Sequence, residues 1–189
     1  MAQKTDTRSS ILQATLELIA EKGFHGSPTS MIADRAGISV GTIYCHFKTK
    51  DELIHALHEE LEGKRRTVIL KGYSEDLPFG ERYFHLCRNT YHYLMENPLE
   101  FRFMEQYSYS PYGVCNLRQK LDSYVEPFHA LFKLGIEQQI IKKLPLMLLF
   151  DLTFGPMINA IMDHNLGLLT LEEALIEEAI GATWDAVRR

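Results

Sequence analysis

Residues 28–53 read PTSMIADRAGISVGTIYCHFKTKDEL, and this stretch decides the fold. Ser27 before Pro28 suits a helix N-cap and first turn, because proline gives up an N–H that would be orphaned there anyway. The helix it opens turns Ile32, Ala33 and Ala36 to one face and stops at Gly37, which tolerates the left-handed conformation of a helix end. Ser39 caps a second short helix, Val40 to His46, which buries Ile43 with Phe47 and leaves Val40, Gly41, Thr42, Tyr44 and His46 outward. Thr49 and Glu52 make a capping box for a third helix. Two short helices joined at a glycine form the helix-turn-helix pattern, whose second helix meets base edges in the major groove. Spacing alone equally permits a plain corner of two helices.

Working outward, Asp6 or Thr7 caps a helix ending at Lys22-Gly23. Its stripe of Ile11, Leu12, Thr15, Leu18 and Ile19 falls at helical spacing, and Phe24 is expected to plug the small core with Phe47. Downstream, the helix opened by Thr49 carries Leu53, Ile54, Leu57 and Leu61 to about Leu70. At about 20 residues it is ~30 Å long, enough to leave a first domain and enter a second. Its Lys64-Arg65-Arg66 run reads as a solvated face. His55 and His58 with Glu59 and Glu62 have metal-ligand spacing, but surface histidines beside carboxylates are far commoner; no metal or cofactor is expected.

Gly72 to Gly80 breaks the pattern and marks a joint. Helices are expected from Glu81 to Met95, Leu99 to Tyr109, Asn116 to Gln139 (with Leu121, Tyr124 and Val125 inward) and Pro145 to Asn165. A turn is expected at Ser110 to Gly113. Thr170 and Glu173 make a second capping box opening a last helix to Val187. No strand alternation appears. The expectation is an all-α protein of about nine helices: an N-terminal three-helix helix-turn-helix domain at 5–65, with the motif at about 28–47, and a C-terminal helical bundle domain at 66–189.

The apolar content of 46% and charged content of 24% belong to an ordinary globular chain. No 18-residue apolar run is evident, so a membrane span is not expected, and the first residues lack the apolar core of a signal peptide. Cys45, Cys87 and Cys115 make neither a disulfide framework nor a CxxC pair; the expected compartment is the cytoplasm. The net charge of −5 argues against nucleic acid until its distribution is seen: residues 1–50 hold six Lys/Arg against four Asp/Glu, and residues 72–189 hold ten against sixteen. The acid therefore lies away from the proposed reader. No GxSxG, HExxH, P-loop or GxGxxG occurs, and Glu81 with His85 or Glu126 with His129 lacks the matched second pair a helical-bundle metal enzyme needs. An enzyme is not expected.

The run IADRAGISVGTIYCHFKTKDEL, with the preceding RSSILQATLELIAEKGF, resembles the DNA-binding signature of TetR-family bacterial transcriptional regulators, without a gap from Thr7 to Leu61. The resemblance implies a homodimer reading a palindromic operator in double-stranded DNA, most often as a repressor. It implies that Tyr44, His46 and Lys50 meet phosphate and that Val40, Gly41 and Thr42 read bases. It also places Arg8 near the DNA backbone. Ser27, Thr29, Ser30 and Ser39 stand at helix starts, where hydroxyls and free N–H groups suit phosphate. Two departures matter: Val40 stands where a polar reader is frequent, and Cys45 where a larger aromatic or basic side chain is frequent. The last two helices resemble the family's dimerisation pair, with Gly155, Ala160, Ile161, His164, Ile180 and Trp184 expected at the interface. Pro156 is expected to kink the first of them.

The family's second domain binds small effectors. Residues 73–132 hold fourteen of the twenty aromatic side chains, eight of them Tyr, which suits an adaptable apolar cavity. Helical phase nominates Cys87, Tyr91, Phe101, Met104, Tyr107, Phe128, Phe132, Phe150 and Phe154 as lining for a small hydrophobic or aromatic ligand, neutral or cationic. The expected function is a repressor released by that ligand. The alternatives are a constitutive DNA-binding helical protein without an effector and, more remotely, a helical-bundle enzyme.

Overall fold

Each helix of the reader starts and stops at a residue suited to the task. The computed structural model describes residues 6–113 and 127–189, and nine α-helices are delimited among them. Helix α1 (Thr7–Lys22) is capped by Asp6, whose carboxylate accepts from the Arg8 N–H, and its whole expected stripe is buried. Helix α2 (Thr29–Ala36) ends at Gly37 with φ 68°, the left-handed conformation that costs glycine least. Helix α3 (Val40–His46) starts at Ser39, whose hydroxyl accepts from the Thr42 N–H at 3.1 Å. Helix α4 (Lys50–Ile69) opens on the predicted box: Thr49 accepts from the Glu52 N–H, and the Glu52 carboxylate accepts from the Lys48 N–H at 2.8 Å.

Two starts differ from expectation. Ser27 does not cap α2: it is fully buried, its hydroxyl donates to the Gly23 carbonyl at 2.8 Å, and Pro28 takes the cap position without a side-chain bond. The Thr170 box is also absent. Helix α9 (Glu173–Val187) starts after Glu172 with no side-chain cap.

The chain forms two compact units. The first comprises Met1–Lys64 and Asn97–Lys120, the second Arg65–Glu96 and Leu121–Arg189. Helix α6 (Pro98–Ser108), which the sequence reading places in the C-terminal domain, thus packs with α1 and α4. Leu12, Leu18, Ile19, Ile32, Ile43 and Leu57 share one buried cluster with Phe103 and Tyr107 of α6. Phe24 packs on the same core as Phe47, as expected, and its ring neighbours there are Phe103 and Tyr112, with ring centres 6.0 and 5.3 Å away. Gln106 donates to the Ile19 carbonyl at 3.0 Å, and Tyr112 to Asp51 at 2.7 Å.

The second unit takes the last turn of α4, whose Ile69 carbonyl accepts from Asn89. To this it adds α5 (Phe79–Glu96), α7 (Pro127–Glu137), α8 (Leu146–Asn165) and α9. Helices α5 and α7 approach closely at Gly135, where a Cβ would lie 2.5 Å from the Phe79 ring. Tyr83 of α5 donates to Thr183 of α9 at 2.9 Å and lies 3.3 Å from the Thr153 hydroxyl of α8, tying three helices through one buried phenol. Pro156 lies inside α8, which stays helical from Leu146 to Asn165. By length and composition alone that helix is long and apolar enough to cross a membrane, with a mean hydropathy of 1.3. The start of the helix expected at Asn116, with Leu121, Tyr124 and Val125, lies outside the described residues, as does Cys115.

Candidate functional site

The reader presents a short exposed edge. On α3, Val40 is 37% exposed and Tyr44 49% exposed, while Ile43 and Phe47 anchor the helix from below. Ser39 and Thr42 share a hydroxyl contact of 2.9 Å, so Thr42 is held toward the helix start. Gly41 has room for a side chain: a Cβ there would meet nothing nearer than the Ser39 hydroxyl at 3.6 Å. The fold does not demand this glycine, whose cost in a helix is about 1 kcal/mol against alanine. Thr29 and Ser30 begin α2, and the first amides to bond within that turn are those of Met31 and Ile32, to Pro28. Among the described residues the N–H groups before them make no backbone bond within that turn, as is usual at a helix start.

Other expected contacts have different partners. Ser27 is turned inward. Lys50 donates its ammonium to the Phe24 carbonyl at 2.7 Å, and burial lowers its pKa from the ordinary lysine value. Arg8 pairs with Glu60 at 2.9 Å and lies over the Phe47 ring. Arg35 spans Glu17 and Glu21. His55 and His58 face the Tyr107 ring: His55 Nδ1 lies 3.2 Å from the Tyr107 hydroxyl, and His58 stacks on that ring at 3.9 Å.

The nominated pocket residues separate. Tyr107 belongs to the core of the first unit and Met104 packs against it, with Phe101 buried on the same helix. In the second unit Phe128, Phe132, Phe150 and Phe154 form a continuous ring cluster between α7 and α8, with centroids 4.8–6.0 Å apart. Cys87 and Tyr91 are fully buried on α5. Burial pushes the Cys87 thiol well up and the Tyr91 phenol to about 12, so both are neutral. Among the described residues the buried Tyr91 hydroxyl has no hydrogen-bond partner. Two clefts of the second unit lie elsewhere. One of about 660 Å³ is lined by Ile136, Ile141, Lys142, Lys143 and Arg189, and one of about 360 Å³ by Leu77, Phe84, His85 and Arg88. The first forms where the final residues bridge back to Ile141, a pairing with no local sequence signal.

Four of the residues expected at an interface are engaged within the chain. Ile161 and Ile180 are fully buried within their own chain, and Trp184 packs on Phe79, Tyr83 and Phe84. His164 accepts from the Leu171 N–H and secures the turn between α8 and α9. Gly155 and Ala160 remain partly exposed, and Gly155 and Gly181 each face open space.

A capped two-helix reader with an outward second helix, joined to an apolar helical unit, defines a helix-turn-helix transcriptional regulator. Residues 11–57 match the family described as "Bacterial regulatory proteins, tetR family", and residues 78–188 match "Tetracyclin repressor-like, C-terminal domain". The chain belongs to the TetR family. It is 28% identical over 190 residues to an uncharacterised HTH-type transcriptional regulator of Haemophilus influenzae, covering 98% of each chain. A solved TetR-family regulator structure from Haemophilus influenzae Rd superposes with a TM-score of 0.81 at 25% identity over 100% of both chains. The fatty acid metabolism regulator protein of Bacillus subtilis is 42% identical over 64 residues, about a third of each chain (34% and 33%). These relatives are transcriptional regulators.

Proposed function

We propose that this regulator is a cytoplasmic homodimeric repressor of an inverted-repeat operator, released when a small hydrophobic ligand binds its second unit, with no catalytic role. DNA contacts come from residues 5–65, through Thr29, Ser30, Ser39, Val40, Gly41, Thr42, Tyr44 and His46. Ligand and partner contacts come from 66–189. The observation that carries the effector reading is Tyr91. A buried phenol left without a partner costs about 1–3 kcal/mol, and phenylalanine would avoid that cost if packing were the only requirement. A ligand acceptor in an apolar site recovers it. Because the phenol stays neutral, it suits an uncharged oxygen on an otherwise apolar molecule, with Phe128, Phe132, Phe150 and Phe154 as aromatic wall. The operators' half-sites lie about 34–36 Å apart, so a small rotation of each reader suffices for release, and α4 belongs to both units.

The partner surface is the outward face of α8 and α9, where Leu148, Leu175 and Ala182 are exposed and Gly155 and Gly181 leave open space. Small residues there permit close helix approach, as a second copy would require.

The test is operator binding against lipophilic neutral, cationic and anionic compounds, including a long-chain fatty acid, on wild type, Tyr91→Phe and Phe128→Ala. Release by a compound in wild type, weakened about tenfold in Tyr91→Phe with DNA binding intact, is expected. If no compound alters DNA affinity, the constitutive DNA-binding reading replaces this one.

A further inference from the structure

The C-terminal part of the chain is acidic, yet its cations gather in one place. Of the five Lys/Arg in residues 121–189, three line the cleft of about 660 Å³ beside the end of α7, against one of the ten Asp/Glu. The three are Lys142, Lys143 and Arg189, and the carboxylate is Glu137. The neighbouring Arg188 is already paired with Asp185 at 2.9 Å. Among the described residues no ion pair neutralises the three cations of the cleft.

Two of them are held in place by neutral acceptors. The Lys142 ammonium donates to the Ala186 carbonyl at 2.6 Å, and the Arg189 guanidinium to Gln139 Oε1 at 3.0 Å. Neither bond exhausts its group, because an ammonium and a guanidinium each carry several N–H donors. Gln139 stands at the left-handed turn that closes α7, with φ 57°. There its own N–H returns to the Ile136 carbonyl, and that of Ile140 to the Gly135 carbonyl, at 3.1 and 2.9 Å. Glycine is the usual residue at such a position; glutamine accepts the strain and supplies the oxygen that fixes Arg189. The backbone is tied as well. The Arg189 N–H donates to the Ile140 carbonyl at 3.0 Å, and the Lys142 N–H to the Val187 carbonyl at 2.8 Å. The cations therefore stand on a braced frame, over an aliphatic lining of half-buried Ile136 and buried Ile141.

We propose that this cleft binds a small organic anion, a carboxylate or phosphate head on an aliphatic body. The planar fork of Arg189 accommodates two oxygens of either head, Lys142 and Lys143 add charge, and the isoleucines meet the first carbons of the body. The volume falls within the range of small-molecule sites, about 300–1,000 Å³. The cleft shares no lining residue with the ring cluster and Tyr91 assigned above to the effector, and its occupancy is read on the free protein without DNA.

The experiment is titration calorimetry of the full chain at low ionic strength with octanoate, octyl phosphate and acetate. Octanoate or octyl phosphate is expected to bind the wild type, the tighter of the two identifying the head, and acetate to bind more weakly. Lys143 and Glu137 are exposed and hold no side-chain bond among the described residues, so their variants leave the fold intact. Lys143→Glu is expected to weaken the bound anion about tenfold and Glu137→Gln to tighten it, both at the wild-type unfolding temperature. Tyr91→Phe is expected to leave the affinity unchanged. An anion that fails to bind the wild type, or binds wild type, Lys143→Glu and Glu137→Gln equally, overturns the proposal. So does an affinity that falls in Tyr91→Phe but not in Lys143→Glu, which would assign the anion to the effector site instead.

Discussion

The two units differ in how completely they satisfy themselves. In the first, α1, α3 and α4 have side-chain caps although α2 and α6 do not, and Arg8 and Arg35 are matched to carboxylates. In the second, α8 and α9 start without side-chain caps, a buried phenol lacks a partner among the described residues, and Leu166 and Leu168 are 68% and 76% exposed. The reader is finished as a free body and meets DNA through a few protruding groups. The second unit has polar and apolar groups that a further molecule would satisfy, which fits the proposed roles of binding an effector and a second copy.

The strongest way to break this contrast is to charge the face held to be unfinished. Ala182→Glu is expected to convert the dimer to monomers by sedimentation, because an unpaired charge buried in an interface costs about 3–5 kcal/mol. A stable dimer in that variant would show that α9 is already complete on that face. Ile32→Ala, in the closed unit, removes a side chain with no exposure. It is expected to cost about 2–5 kcal/mol in chemical denaturation and to abolish operator binding, since Ile32 is one of only two buried residues fixing α2.

A sharper test compares glycines that have room. Gly41→Ala should stabilise the free protein by about 0.5–1 kcal/mol and yet weaken operator binding, read by calorimetry and by titration with DNA. Gly181→Ala should stabilise α9 similarly and weaken dimerisation instead. Stabilisation without a binding loss at either site would mean that nothing approaches there.

The smallest effect concerns pH. Burial, with Lys133 nearby, holds the His129 pKa below its ordinary value of 6.5. The unfolded chain therefore takes up the proton first, so the folded state keeps its full stability above about pH 6.5 and loses part of it as the pH falls. His129→Gln should flatten that decline in thermal melts between about pH 7 and 5.

Much of the first unit was legible because its signals are local. Gly37, Ser39 and the Thr49/Glu52 pair each act on neighbours within four residues, so sequence spacing is enough to place them. Ser27 was misread for the same reason: a hydroxyl before proline fits a cap, but it bonds backward to Gly23 instead. Longer-range choices were less visible. Helical phase marks Tyr107 as inward without saying that its neighbours are His58 and Phe24 rather than Phe128. Helices α8 and α9 are apolar on more than one face, so periodicity could not decide which face Ile161 and Ile180 occupy. The Tyr83 link to Thr153 and Thr183 spans up to 100 residues and has no local signature at all.

The return of α6 to the first unit also sets a schedule. Chains emerge from synthesis at about 5–20 residues per second, and the reader's apparent boundary passes near residue 65. Its core, however, includes Phe103 and Tyr107. For several seconds the nascent helices α1 to α4 lack the aromatic side chains that cover Phe24 and His58. A gene fragment cut at residue 65 would fix that interval permanently, giving a reader with an uncovered flank. One extended past Gly113 would carry the cover with it.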